Sequence, residues 1–99
     1  MTIQREGGRI YVRGPIIVDN VVKITRQGFV LLDDNDLVVD MGGVTEVDSS
    51  AISMLFEWLR LSHARKHQLH FVNLPANLSS LVGLYGVMDF IPLDKSTQK

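Results

Sequence analysis

The residues with the clearest chemical potential are Asp48, Ser49 and Ser50, which stand immediately before a long segment of helical apolar spacing. Side-chain oxygens at such a position accept the unpaired backbone amides of a helix's first turn. We therefore expect Asp48 and Ser49 to cap a helix. A serine at this end is also exposed and able to carry a phosphate group, whose charge the helix dipole would favour. The motif predicts a cap, and beside it a surface for docking or modification.

Other candidate sites fail on their spacing. His63 and His67 lie four residues apart, but the zinc-protease pattern needs Glu directly after the first His, and Ala64 stands there. The pairs Gly7-Gly8 and Gly42-Gly43 lack the spacing and the lysine of a phosphate-binding loop. We predict no metal site, no nucleotide cradle and no cofactor.

The acidic residues Asp33, Asp34 and Asp36 alternate as calcium ligands sometimes do. The glycine and the closing glutamate of an EF-hand loop are missing, so a solvated turn is the better interpretation. No nucleophile, base and orienting acid can be assembled elsewhere with supporting spacing. The chain is predicted not to be an enzyme.

The segment after Ser50 has more apolar surface than one contact with a sheet requires. One stripe at helical spacing contains Ile52, Leu55, Phe56 and Leu59. A second stripe, displaced by roughly a third of a turn or more, contains Ala51, Met54, Trp58 and Leu61. This second stripe either packs on the first helix or, where Met and Trp are exposed, forms a contact surface. The residues predicted to bind a partner are Asp48, Ser49, Ser50, Ala51, Met54 and Trp58.

Strand patterns recur along the chain. Residues 9–13 alternate apolar and polar side chains and end at Gly14-Pro15, and residues 2–5 are predicted to pair with them through the Gly7-Gly8 turn. A continuous apolar run at 37–39 predicts a central strand, followed by a flexible exit at Gly42-Gly43. Residues 69–72 predict another strand, and Phe90-Ile91 an edge strand.

Three segments between these strands have helical spacing. The first is predicted to begin at Asp19 as N-cap and contains Gly28, which weakens it by about 1 kcal/mol relative to Ala, so tertiary packing must hold that turn. The second covers residues 49–66, and the third follows Pro75 and ends at Gly86. The alternation predicts an α/β fold with a mixed sheet of four or five strands and about three helices.

Length and composition bound the class of protein. With 99 residues, 45% of them hydrophobic, the chain has room for one domain, predicted at residues 1–93 with a flexible tail at 94–99. Ten basic residues balance eleven acidic ones without a dense basic stripe, which argues against nucleic acid as a partner. Cysteine is absent, residues 1–9 are polar, and the stretch 81–93 is too short to span a bilayer. We expect a cytoplasmic protein without direct membrane insertion.

The segment from Leu37 through Asp48-Ser49-Ser50 resembles the signature of STAS domains, in which a central strand leads to Asp-Ser-Ser-Gly at the start of a helix. The resemblance extends from the strand at Arg9 through the third helix. Ala51 stands where the family usually has glycine. In antagonist members of the family the first serine after the aspartate is phosphorylated, which implies Ser49 as the possible phosphorylation site.

The resemblance implies a protein partner of one of two kinds. The chain is similar to the STAS subunit of the bacterial Mla-type (toluene-tolerance) phospholipid transporter in its compact length, its brief region before Gly14 and its Leu84-Tyr85 ahead of a Pro-containing C-terminal end. Such a non-enzymatic subunit binds the ATPase of an ABC complex and is peripheral to the inner membrane through it. The alternative is an anti-sigma-factor antagonist, which binds an anti-sigma kinase and is switched by phosphorylation. The intact Asp48-Ser49-Ser50 favours this alternative, whereas the other features favour the transporter subunit, which is the function we expect.

Overall fold

A computed structural model describes residues 3–32 and 36–93. The described residues form four strands: β1 Ile3–Glu6, β2 Arg9–Ile16, β3 Leu37–Val47 and β4 Leu69–Val72. They also form three α-helices, α1 Val21–Leu31, α2 Ser49–Ala64 and α3 Ala76–Leu84, and a short 3₁₀-helix, Met88–Phe90. The predicted tail at 94–99 and two of the considered calcium ligands, Asp33 and Asp34, lie outside the described residues.

The strands form one sheet in the order β1-β2-β3-β4. β1 is antiparallel to β2, whereas β2, β3 and β4 are parallel to one another. Parallel neighbours require crossover connections, and α1 and α2 supply them between β2 and β3 and between β3 and β4. The predicted α/β fold, with a mixed sheet and three helices, is therefore confirmed.

The predicted hairpin at the N-terminus is present. Glu6 pairs with Arg9, and Gly7 in the intervening turn has a φ of 61°, which glycine adopts without steric cost. Because β1 is at the edge of the sheet, the hairpin places β2 inside it, next to the central strand β3.

The prediction that Gly14-Pro15 ends β2 and that Gly42-Gly43 is a flexible exit after β3 is wrong. β2 continues through Gly14 and Pro15 to Ile16, and β3 continues through Gly42 and Gly43. The register between the two strands shifts at Tyr11/Arg13 and at Gly14/Ile16. Such bulges bend the strands without ending them and leave Pro15 at a position where a ladder amide is not needed. The longer β3 leads directly to α2.

Two helix ends also differ from prediction. Asn20, not Asp19, occupies the N-cap position of α1, and its side chain closes the preceding turn by accepting from the Ile17 amide and donating to the Pro15 carbonyl. α2 ends at Ala64 because Lys66 has a left-handed φ of 61°. The His67 amide then donates to the Ser62 carbonyl, as in a helix C-terminal motif.

Residues Phe90-Ile91 do not form the predicted edge strand. Residues 88–90 turn as a 3₁₀-helix, in which the Phe90 amide donates to the Val87 carbonyl. Backbone pairing of this segment with the sheet consists of an isolated parallel bridge between Phe71 and Leu93, while Ile91 is buried in the core. The described sheet therefore has four strands and no fifth.

The core lies between the sheet and its helices, where alternate strand residues meet apolar helix residues. The largest of its fully buried side chains include Ile10, Met41, Leu55, Trp58, Phe71 and Leu78. Trp58 lies directly on Gly28 of α1, where an added Cβ would come within 2.3 Å of the indole ring. This contact is the tertiary packing that the weak Gly28 turn was predicted to need.

Candidate functional site

The candidate site begins at the N-terminus of α2, where Asp48 follows the end of β3. Its backbone is extended, with φ −129° and ψ −172°, and its Oδ1 accepts from the Ser50 amide at 2.9 Å. The Ser50 hydroxyl donates to the same oxygen. The predicted capping role is thus confirmed for Asp48.

Asp48 has a second contact that the sequence did not predict. Its Oδ2 accepts from the Val18 amide at 2.9 Å, across 30 residues of chain. The hydrogen bonds from the Ser50 side chain and from the Val18 amide hold the pKa of Asp48 below its ordinary value. One carboxylate therefore joins the turn between β2 and α1, residues 17–20, to the start of α2.

Ser49 is exposed at the first position of α2, and Ser50 beside it is half-buried. Around them is an open cavity of about 370 Å³. Its lining comes from three separate parts of the chain: Val18, Asp48, Ser49, Ser50, Ile52, Ser53 and Tyr85. The structure thus brings the predicted Asp48-Ser49-Ser50 motif together with Val18 and Tyr85, which sequence reasoning did not place there.

The expectation that Ala51, Met54 and Trp58 form an exposed contact surface is wrong. They are 0%, 1% and 1% exposed, because the second apolar stripe of α2 packs on α1. The Trp58 indole also donates to the Thr25 carbonyl of α1 at 3.1 Å. A partner in contact with this face would meet the residues around the stripe, not the Trp58 ring.

A second open groove, of about 280 Å³, runs between α1 and α2 beside the first cavity. The two share Ser50 and Ser53, and the groove is further lined by Val21, Val22, Thr25, Arg26, Phe29, Met54 and Glu57. Val22 is 58% exposed, and Phe29 is half-buried. Helical spacing alone could have suggested Val22 and Phe29, which lie seven residues apart on one face of α1.

A separate polar cluster lies in the sheet around Asp40 of β3. Arg9 of β2 forms an ion pair with its Oδ2 at 2.9 Å, and the Asn73 amide group donates to the same atom at 3.2 Å. Partial burial raises the pKa of Asp40, but the hydrogen bonds from the Gly42 amide, Arg9 and Asn73 outweigh it and hold the pKa below its ordinary value. The cluster fastens β2 to β3 and to the residue that follows β4.

Among residues 3–32 and 36–93, no group of three or more His, Cys, Asp or Glu side chains is arranged to hold a metal ion. His63 lies in the last turn of α2, whereas His67 lies beyond the end of that helix, with its Nδ1 3.6 Å from Asp36 Oδ1. Within the same described ranges, no helix has the length and apolar character needed to cross a bilayer.

The chain belongs to the STAS-domain family, because a model of that family matches residues 1–93. The matching model carries the description "Mlab, STAS domain". Among solved structures, the chain is similar to the anti-sigma factor antagonist SpoIIAA in its unphosphorylated form, with a TM-score of 0.63 and 14% identity over 94% of this chain and 86% of that one. This likeness shows the fold alone. No curated protein is similar enough to count as a match.

Proposed function

We propose that the chain is a non-enzymatic accessory subunit that binds the cytoplasmic ATPase of an ABC-type phospholipid transporter. The observation that carries the proposal is the match of residues 1–93 to the family model described as "Mlab, STAS domain". Docking takes place on the surface around Ser49, where the helix N-terminus, an exposed serine and two exposed apolar side chains, Val18 and Tyr85, lie together.

The arrangement suits contact better than catalysis. The cavity is open and combines hydroxyl groups with apolar walls, which is the mixture found where one protein docks on another. Its single carboxylate, Asp48, is engaged with the Ser50 and Val18 amides. We therefore expect the purified chain neither to bind nor to hydrolyse ATP, and saturable nucleotide binding in calorimetry would contradict this.

A second candidate is an anti-sigma-factor antagonist that binds an anti-sigma kinase and is switched by phosphorylation of Ser49. It is favoured by the intact Asp48-Ser49-Ser50 and by the exposure of Ser49 at the start of α2. A phosphate there would lie near the positive end of the helix dipole. Both candidates use the same surface and differ in the partner.

The test measures binding of the purified chain to the ATPase subunit of such a transporter and, separately, to an anti-sigma kinase, both from the same organism. The central variant is Ser49→Asp, since aspartate is well tolerated in a helix's first turn but places a charge in the interface. We expect its melting temperature to stay close to that of the wild type and its affinity for the partner to fall at least about tenfold.

The matched control is Ser80→Asp, the same substitution at an exposed serine of α3 outside the cavity. It should bind as the wild type does. Binding to the kinase and not to the ATPase would replace the first candidate by the second. If Ser49→Asp binds as well as Ser80→Asp, the surface around Ser49 is not the interface.

A further inference from the structure

The turn between β2 and α1 is held in place by a hydrogen bond to the start of α2. Within the turn, residues 17–20, the Asn20 side chain forms the hydrogen bonds that close it. The Val18 amide then donates to the Asp48 carboxylate and so joins the turn to α2. The Asp48 amide in addition donates to the Ile16 carbonyl at 3.4 Å. The turn therefore has a fixed position relative to Ser49.

This position exposes an apolar side chain next to the serine. Val18 is 71% exposed, and Tyr85, after the end of α3, is 54% exposed on the same cavity. An exposed valine in a turn gains nothing for the fold, whereas apolar side chains around a docking site are what a partner buries. Ser49 lies in this cavity with both of them.

We propose that Asp48 is a positioning residue for partner docking: it holds the 17–20 turn so that Val18 and Tyr85 receive an apolar side chain of the protein that docks at Ser49. This inference rests on the proposed function and adds the chemistry of the partner's contact. The single cavity containing Ser49, Val18 and Tyr85 is the reason for assigning all three to one partner. Capping of α2 requires only one carboxylate oxygen of Asp48, whereas both oxygens accept hydrogen bonds: Oδ1 from the Ser50 amide and Oδ2 from the Val18 amide.

Asp48→Ser separates the two contacts. Serine is as good an N-cap as aspartate, but its single oxygen cannot occupy both positions that Oδ1 and Oδ2 of Asp48 occupy, so it keeps the Ser50 contact and loses the one to Val18. We expect the melting temperature to change little and amide hydrogen exchange to accelerate at Val18 while that of Ser50 is retained. Affinity for the purified ATPase subunit should fall about tenfold, as for loss of one interaction that orders the interface.

Val18→Ser tests the apolar contact directly, and Val30→Ser is its matched control. Val30 lies in α1, is 84% exposed and does not line the cavity. We expect Val18→Ser to lower affinity for the ATPase subunit about tenfold and Val30→Ser to leave it unchanged. Neither change removes a buried side chain, so both variants should fold.

The outcomes distinguish this inference from the proposed function. If Ser49→Asp abolishes binding while Val18→Ser and Asp48→Ser bind as the wild type does, the docking surface stands and the inference is overturned. If the wild type binds no ATPase subunit, the proposed function fails, and the apolar contact fails with it. A shift of the isolated chain from dimer to monomer on Val18→Ser would make the occupant a second copy and would also overturn the inference. Unchanged exchange of the Val18 amide in Asp48→Ser would remove the positioning role.

Discussion

Replacement of Gly28 by alanine should destabilise the protein, although the same change stabilises most helices. Alanine is favoured over glycine in a helix interior by about 1 kcal/mol. At Gly28, however, the added Cβ would lie 2.3 Å from Trp58 Cε2 and 2.4 Å from both Cζ2 and Nε1. Trp58 is 1% exposed and surrounded by core residues, so its ring cannot swing aside without moving α2.

The magnitude follows from three contributions. Overpacking of a close-packed core costs about 1–3 kcal/mol. Displacement of the indole also weakens the Trp58 hydrogen bond to the Thr25 carbonyl, which contributes about 1 kcal/mol. Subtracting the gain of about 1 kcal/mol in helix propensity leaves a net loss of about 1–3 kcal/mol in the free energy of unfolding.

The assay is urea unfolding followed by circular dichroism and by the fluorescence of Trp58, the one tryptophan of the sequence. Gly83→Ala in α3 is the control, because nothing lies within 4 Å of its added Cβ. We expect this control to gain about 0.5–1 kcal/mol. If Gly28→Ala is as stable as Gly83→Ala, the contact between α1 and α2 is looser than described, and the reasoning fails.

Three further outcomes follow from the sheet. The hydrogen bonds that lower the pKa of Asp40 contribute stability that is present above pH 3.8, its ordinary pKa, and is lost as the pH falls through the lower folded value. Urea unfolding should therefore show less acid dependence in Asp40→Asn, and parallel pH profiles would contradict this. Gly43→Ala should cost about 1–2 kcal/mol, because its Cβ would lie 2.7 Å from Arg13 Cγ, and a wild-type urea midpoint would argue against that contact. Phe71→Ala should cost about 3–5 kcal/mol in the same assay, since Phe71 is fully buried in β4, and a loss below 1 kcal/mol would count against its core position.

The sequence predicts the elements well where a pattern is local. The alternation in residues 9–13 identifies β2, and the apolar spacing after Ser49 identifies α2. Both patterns succeed because the spacing of apolar residues depends only on the buried face of a single strand or helix. Glycine and proline were interpreted as breaks, and this failed at Gly14-Pro15 and Gly42-Gly43. A bulge keeps a strand paired through such residues, and only the neighbouring strand reveals it.

The site was predictable in its centre and not at its edges. Asp48-Ser49-Ser50 carries local capping chemistry, so its position at the start of α2 could be derived from residue types. Val18 and Tyr85 are brought to it only by the tertiary fold. The parallel pairing of β2 with β3 places Val18, which follows β2, near the start of α2, and Tyr85 reaches the same cavity from the end of α3. No spacing in the sequence encodes that proximity.

The incorrect assignment of Trp58 to the partner surface has a physical consequence for that surface. Helical spacing identifies a second apolar stripe on α2 but does not say whether a partner or another helix of the same chain covers it. Here α1 covers it, with Trp58 against Gly28 and hydrogen-bonded to the Thr25 carbonyl. The contact between Trp58 and α1 therefore does two things. It buries the Trp58 ring, and it fixes the position of α1, which begins directly after the turn that contains Val18. The buried stripe of α2 thus lies beneath the proposed docking surface, and the Asp48 carboxylate joins the 17–20 turn to the edge of that surface.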